Sequence, residues 1–271
     1  MNTVSRSNHP IDKETRDLIS KRYHRLTAAV NKAFWYGSSD TAHSLYVGSY
    51  GRGTAIESSD LDVLMELPQD EWRRFDSYGA NGQSRLLQAV RSALLDTWPT
   101  TGIHADGQVV VANFSDGMKF EVLPAFRQEV SSGLYPHFRY PDSNQGGRWL
   151  TTNPKAEQDA LSKKNKESNG LLYDTCRHIR YLHMLLYPSL QLSGIAIDTF
   201  VYDCIGDWHW ASLGMPTAEH GDYERMLLCK YNSLTRNGLA SPALFAPGSN
   251  ARVDVKDSIG CLGKVLRFMV D

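Results

Sequence analysis

The sequence predicts an α+β fold, with a first half built as a mixed sheet under covering helices and a second half made mainly of helices. Three observations carry this. Between residues 44 and 124, short runs rich in β-branched and apolar residues are separated by a helical segment. From Pro154 onward, apolar residues recur at three- and four-residue steps. Between the halves, residues 127–154 are punctuated by Tyr135-Pro136, Tyr140-Pro141, Gly146-Gly147 and Asn153-Pro154, and read as a loop-rich crossing between two lobes. The expected division is therefore 1–150 and 151–271.

The elements follow in order. Lys13 to about Ala33 reads as an amphipathic helix, with Leu18, Ile19, Tyr23, Leu26, Val30 and Phe34 on one stripe. Its other face carries Lys13, Arg16, Lys21, Arg22 and Arg25, read as a solvated surface. Ser44–Val47 and Leu61–Leu67 read as strands. Gly79-Ala80-Asn81-Gly82 is a loop, and Gln83 to Asp96 a helix stopped by Trp98-Pro99. Gln108–Phe114 and Met118–Pro124 read as strands joined by the turn Ser115-Asp116-Gly117. In the second half, helices are expected over Ala156–Lys164, Leu171–Tyr187, Gly194–Trp210 and Ile259–Met269. Pro154 suits a first helical position, and Pro242–Ser249 reads as a rigid loop. Tyr202, Trp208 and Trp210 are read as core aromatics.

Composition bounds the function. The 271 residues suffice for one large domain or two lobes. Charge is nearly balanced, 29 basic against 30 acidic residues, which argues against a broad footprint for a long nucleic acid. The four cysteines, Cys176, Cys204, Cys229 and Cys261, form no CxxC pair, so neither a zinc site nor a disulfide framework is expected. No run approaches the ~18 apolar residues that span a bilayer. The N-terminus carries Arg6, Asp12, Lys13 and Glu14 without an apolar segment, so no signal peptide is expected. A soluble cytoplasmic protein is the expectation.

The chemistry concentrates in residues 48–63, Gly48-Ser49-Tyr50-Gly51-Arg52-Gly53-Thr54-Ala55-Ile56-Glu57-Ser58-Ser59-Asp60-Leu61-Asp62-Val63. On a strand, Asp60 and Asp62 share a face while Leu61 and Val63 point into a core. Paired carboxylates repel each other and stay ionised most easily around a divalent cation. The glycine turn upstream exposes N–H groups suited to phosphate oxygens. A third carboxylate, Glu121, sits between Phe120 and Val122 on a neighbouring strand. Singly, each piece has a plain structural reading: a solvated strand face, an ordinary turn, a solvent-facing glutamate. Together they resemble the polymerase-β-type nucleotidyltransferase signature.

The resemblance extends further. Gly79–Ser84 followed by Leu86–Val90, Ala105–Val111, Asp116–Pro124, Tyr140–Asn144, Gly147 with Trp149, Thr151–Pro154 and Ala246–Ser249 all look familial. The chain resembles the bacterial cGAS/DncV-like nucleotidyltransferases (CD-NTases), most of all the CdnE type. That resemblance implies a nucleotidyltransferase core closed by a C-terminal helical lobe. It implies synthesis of a cyclic oligonucleotide from nucleoside triphosphates, ATP and GTP among them, with cyclic dinucleotides and cyclic di-GMP as candidate products. It also implies a place in CBASS anti-phage defence, with the product read by a downstream effector of which the STING type is one candidate. Asp60, Asp62 and Glu121 would hold two Mg²⁺ ions, replaceable by Mn²⁺. Gly48 and Ser49 would hold the β/γ-phosphates. Arg52 is either a phosphate ligand or a surface charge, and Asn165 either a base or sugar contact or a helix-end cap. Lys163, Lys164 and Lys166 read as a solvated helix face. One departure stands out. Relatives often carry a lysine near a tryptophan facing the triphosphate, where this chain reads Arg177-His178-Ile179-Arg180-Tyr181-Leu182-His183. Arg180 or Arg177 would serve as the phosphate fork. His183 at the lysine position would hold phosphate less well near neutral pH. The rival expectations are transfer to a small-molecule or tRNA acceptor, and a catalytically silent nucleotide-binding module.

Overall fold

The computed structural model of the chain describes residues 2–128, 135–212, 221–236 and 242–271. It divides into a sheet unit, Asp12–Gly51 with Ser59–Lys155, and a helical unit, Met1–Ile11 with Arg52–Ser58 and Ala156–Asp271. The first eleven residues and the short segment after the glycine turn thus group with the helices.

In the sheet unit, α1 (Lys13–Phe34) starts where Asp12 accepts the Thr15 N–H at 2.7 Å. It buries Ile19, Leu26, Val30 and Phe34, as the stripe predicts. Then come β1 (Ser44–Tyr46), a single turn α2 (Gly48–Gly51), β2 (Leu61–Glu66), α3 (Gln69–Asp76) and α4 (Gly82–Leu95). Strands β3 (Gly102–Asp106), β4 (Val109–Asn113), β5 (Lys119–Gln128), β6 (His137–Asp142) and β7 (Arg148–Thr152) complete it. The sheet order is β1-β2-β5-β4-β3, with β6 on the far end of β5 and β7 beside β6. Among the described residues only the central β2–β5 pair is parallel, so the sheet is mixed.

The strands obey the alternation expected of a sheet with one face under helices. Val63, Met65, Phe120 and Val122 are buried on one face. Leu64, Ala125 and Phe138 pack with Val47 in a second cluster. Arg22 is drawn partly off the solvated face that the sequence predicts, while Arg25 stays exposed as expected. Arg22 lies 3.9 Å over the Phe114 ring and pairs with Asp116 at 2.8 Å, and Arg25 sits 4.8 Å over Trp98. Their stems bind α1 to the β4–β5 hairpin side of the sheet.

Residues 127–154 correct the sequence reading. Beside residues 129–134, which lie outside the described residues, they hold the end of β5, all of β6 and β7, and the start of α5. Their Tyr-Pro pairs read as loop punctuation, yet Pro141 sits in β6 opposite Trp149. Likewise Pro124 does not end β5. The ladder to β4 stops at Val122 and that to β6 begins at Phe126, so the missing N–H falls in the gap.

The helical unit holds α5 (Pro154–Glu167, from Ala156 on), α6 (Leu171–Leu186), α7 (Gly194–Cys204), α8 (Asp222–Thr235), the β8–β9 ribbon (Leu244–Phe245, Arg252–Val253) and α9 (Ile259–Val270). Its core gathers Leu172, Ile179, Phe200, Leu227, Val265 and Leu266. The N-terminal arm joins this core through Val4, whose N–H donates to Glu224 at 2.8 Å, and Ser7 donates its N–H to Asp174 at 2.9 Å. Helix α7 is shorter than the predicted Gly194–Trp210. Gly206 turns left-handed at φ 55°, and Trp208 and Trp210 pack on the core from the turn beyond. Helix α8 was not predicted, nor was the β8–β9 ribbon, whose first strand falls inside the expected rigid loop Pro242–Ser249.

Candidate active site

The central parallel pair positions the acidic residues. Asp62 stands directly opposite Glu121 in the β2–β5 register, and Leu64 opposite Leu123. In-register neighbours on adjacent strands share a face, so the two carboxylates issue side by side. Leu61 and Val63 are buried, as expected for their alternation with Asp60 and Asp62. Asp60 immediately precedes β2 and is half exposed, and Glu121 is about a quarter exposed. The carboxylates therefore sit on a firm sheet centre with their oxygens toward water.

A lysine stands among them. Lys119, two residues before Glu121, shares its strand face. Its Nζ lies 2.9 Å from Asp60 Oδ2 and 2.6 Å from Glu121 Oε1. Partial burial opposes its charge, but hydrogen bonds and attraction from Glu121 and Asp60 outweigh that and raise its pKa above the ordinary lysine value. Among the described residues, no three His, Cys, Asp or Glu side chains are drawn together as a ready metal cage. An ammonium holds the place between two of the carboxylates. The donor set itself suits Mg²⁺, a hard cation that takes a few carboxylates and completes its shell with water and phosphate. A cation between these oxygens is also what the cluster already accommodates. The residues fit the group.

The Gly-Ser turn meets the same carboxylates. Val47 N–H donates to the Asp62 carbonyl at 2.8 Å, which ties the entry of α2 to β2. Gly48 then adopts φ 57°, a left-handed conformation that glycine reaches without penalty. A Cβ there would overlap the Asp62 carboxylate and lie 2.8 Å from its Cβ. The backbone of the turn thus runs directly against Asp62. Ser49 follows as the second residue of α2.

The remaining candidates fall in the helical unit. Arg52 is neither a surface charge nor an open fork. It is 8% exposed, its Nε 2.8 Å from Asp198 Oδ2 and its Nη1 3.5 Å from Glu157. Arg180 pairs with the other oxygen of Asp198 at 2.7 Å and donates to the Gly194 carbonyl at 2.9 Å. Thr54 donates to Asp198 at 3.0 Å. Burial alone would raise the Asp198 pKa, yet Arg180 and Arg52 hold it below the usual carboxylate value. Burial raises that of Glu157, with Arg52 opposing. Asn165 Oδ1 accepts the Tyr173 N–H at 3.0 Å, a local helix-start contact. Arg177 donates to the Gly53 carbonyl at 2.7 Å, and His183 Nε2 lies 2.8 Å from the Leu190 carbonyl. Lys163 and Lys166 are exposed. A cavity of about 740 Å³ lined by Trp208, Trp210, Tyr223, Asp203 and Glu224 holds none of the residues singled out for chemistry.

Sequence reasoning missed Lys119 and Asp198. The first was signalled by its spacing of two from Glu121 on one strand. The second was signalled by a carboxylate set in the apolar run Ile195-Ala196-Ile197-Asp198-Thr199-Phe200-Val201, since such a group is buried only when paired.

Comparison with known proteins completes the picture. The model of the Second Messenger Oligonucleotide or Dinucleotide Synthetase domain matches residues 6–165, more than half of the chain. A probable cyclic nucleotide synthase from Bacillus cereus strain VD146 is 22% identical over 178 residues, which cover 64% of this chain and 50% of that protein. The match thus spans half the length of this curated relative. The CdnE cyclic dinucleotide synthase of Elizabethkingia meningoseptica, solved with GTP and Apcpp, superposes with TM-score 0.66 at 14% identity over 95% of this chain and 91% of that one. The STING-associated CdnE c-di-GMP synthase of Capnocytophaga granulosa gives 0.68 at 13% identity, over 95% and 80%. The CdnE c-UMP-AMP synthase of Rhodothermus marinus gives 0.59 at 16% identity, over 96% and 95%. No helix among the described residues is long and apolar enough to cross a membrane. The chain belongs to the Second Messenger Oligonucleotide or Dinucleotide Synthetase family, that of the bacterial cGAS/DncV-like nucleotidyltransferases, and its fold is of the CdnE kind.

Proposed function

We propose that the protein joins nucleoside triphosphates into a cyclic oligonucleotide, a cyclic dinucleotide in the first instance, with release of pyrophosphate. The observation that carries this reading is the in-register pair Asp62 and Glu121 with the Gly48 backbone pressed against Asp62. In a polymerase-β-like sheet this pairing supports a reading in which the acidic oxygens and the glycine-turn backbone serve one triphosphate. The reaction is attack of a 3′-hydroxyl on an α-phosphate, followed by a second attack that closes the ring.

Asp60, Asp62 and Glu121 would hold two Mg²⁺ ions. Bound there, Mg²⁺ supplies Lewis acidity and charge neutralisation at the attacking and leaving oxygens. The chain's own share is positioning. The β2–β5 ladder fixes the spacing of Asp62 and Glu121, and Gly48 lets backbone and Ser49 approach the triphosphate. Asn165 is proposed to contact a base or sugar through its Nδ2 while its Oδ1 is spent on Tyr173. Arg52 and Arg180 are assigned differently from the sequence reading. Their pairing with the fully buried Asp198 makes them the frame of the helical unit, and phosphate binding is proposed to fall to the glycine turn instead.

The setting we propose is the one the family resemblance implies, CBASS anti-phage defence, with a cyclic-nucleotide-sensing effector downstream. Cyclic di-GMP is one candidate product, since the Capnocytophaga relative is by name a c-di-GMP synthase. The Rhodothermus relative is by name a c-UMP-AMP synthase, so the fold tolerates more than one base choice. The test is pyrophosphate release from the four NTPs. Asp60→Asn with Asp62→Asn is expected to abolish release while the melting temperature stays within a few degrees. Chelation with EDTA is expected to do the same. Full turnover in the folded double variant would end this reading.

A further inference from the structure

We propose that Lys119 is the internal counter-cation of the carboxylate cluster, and that divalent metal enters only by expelling its ammonium group. This rests on the metal reading of Asp60, Asp62 and Glu121 given above. The Nζ makes two short ion pairs, 2.9 Å to Asp60 and 2.6 Å to Glu121. An ammonium and a divalent cation at the same oxygens repel each other strongly, so the two states exclude one another.

The position of Lys119 suits such exchange. Its side chain is one-third exposed, so a path to water is open. Its four-carbon stem is flexible and its head is a compact point charge, unlike the rigid fork of an arginine. Glu121 keeps its strand position in either state, because the β2–β5 ladder and not the lysine fixes its backbone, and Asp60 immediately precedes the first laddered residue, Leu61. Without metal, the ammonium relieves the repulsion among neighbouring carboxylates. With metal, that service is redundant and the ion pairs must break. The lysine therefore lowers the apparent metal affinity of the nucleotide-free protein and keeps the site assembled while it waits.

The size of the effect follows from the exposure of the pairs. A partly exposed ion pair is worth a factor of about two to five in an equilibrium constant. Two such pairs together give about a tenfold change.

The experiment is Mn²⁺ binding to the nucleotide-free protein at low ionic strength, read by electron paramagnetic resonance, alongside a melting curve for each variant. Lys119→Met is expected to bind Mn²⁺ about tenfold more tightly than the parent. Unchanged or weaker binding in folded Lys119→Met overturns the inference. A second measurement needs no variant. Reductive methylation of Lys119 in the parent protein, followed by mass spectrometry, is expected to run several-fold faster with Mg²⁺ than without. Equal rates overturn the inference as well. The double variant Asp60→Asn with Asp62→Asn separates the two levels of the claim. If it retains parental Mn²⁺ binding, the metal reading itself falls. If it loses binding while Lys119→Met behaves as the parent, only the role of Lys119 falls.

Discussion

Replacing Gly48 by alanine tests the geometry of the site with a single methyl group. Two costs arise. Gly48 sits at φ 57°, and the left-handed conformation costs an L-residue about 1–2 kcal/mol. The new Cβ would also lie 2.8 Å from the Asp62 Cβ and overlap its carboxylate. Carbon atoms rest at about 3.5–4.0 Å, so Asp62 or the turn must give way by about 1 Å. Asp62 is pinned, since its carbonyl accepts the Val47 N–H and its backbone is laddered to Glu121. The displacement then falls on the carboxylate or on α2, both of which the proposed reaction uses. A misplacement of about 1 Å costs about a hundredfold in rate. Gly48→Ala is therefore expected to lose about 1–3 kcal/mol of stability and at least a hundredfold in pyrophosphate release. Chemical denaturation gives the first number and a coupled pyrophosphate assay the second. Activity within threefold of the parent would refute the argument that the turn is packed against a working carboxylate.

Other consequences follow from the same structure. Glu121→Gln removes a charge but keeps the side-chain shape, so pyrophosphate release is expected to fall by more than a hundredfold with an unchanged melting temperature. A parental rate would remove Glu121 from the site. Asp198→Asn strips the shared partner from two buried arginines, Arg52 and Arg180, and removing one member of such a buried set costs about 3–5 kcal/mol. Denaturant unfolding is expected to show that loss, and a cost below about 1 kcal/mol would contradict the frame assigned to these residues. The Asp198 pKa is lowered in the fold, so its stabilisation is complete above the ordinary carboxylate value of 3.8 and is lost as pH falls through the depressed value. Glu157, whose pKa is raised, offsets part of this as it takes up a proton earlier. Melting temperatures are thus expected to hold from neutrality to about pH 5 and to drop below pH 4, and Asp198→Asn is expected to flatten that acid limb. A limb unchanged in the variant would place the acid sensitivity elsewhere.

The site was legible from sequence because its parts are local. A glycine-serine turn, two carboxylates at strand spacing, and a third in a β-branched hairpin need no knowledge of distant contacts. The α1 stripe and the β4–β5 hairpin were equally plain. What escaped was set by partners far along the chain. Arg52 reads as a free charge until Asp198, well over a hundred residues later, appears beside it. Helix α3 shows only Trp72 and Phe75 as apolar anchors, and its acidic first turn and basic last turn are the better signal. Helix α8 rests on Tyr223, Leu227 and Tyr231, four residues apart, whose aromatics mask an ordinary helical stripe. Strands β6 and β7 were hidden by the Tyr-Pro, Gly-Gly and Asn-Pro pairs in and around them, which read as loop punctuation.

The most direct test of the account is mass spectrometry of the product formed from ATP, GTP, CTP and UTP with Mg²⁺ and no added acceptor. The account predicts a phosphatase-resistant cyclic oligonucleotide, formed with pyrophosphate and absent when Asp60 and Asp62 are asparagine. Product formed only when a small molecule or tRNA is added as acceptor, or tight nucleotide binding with no product in Mg²⁺, would contradict it.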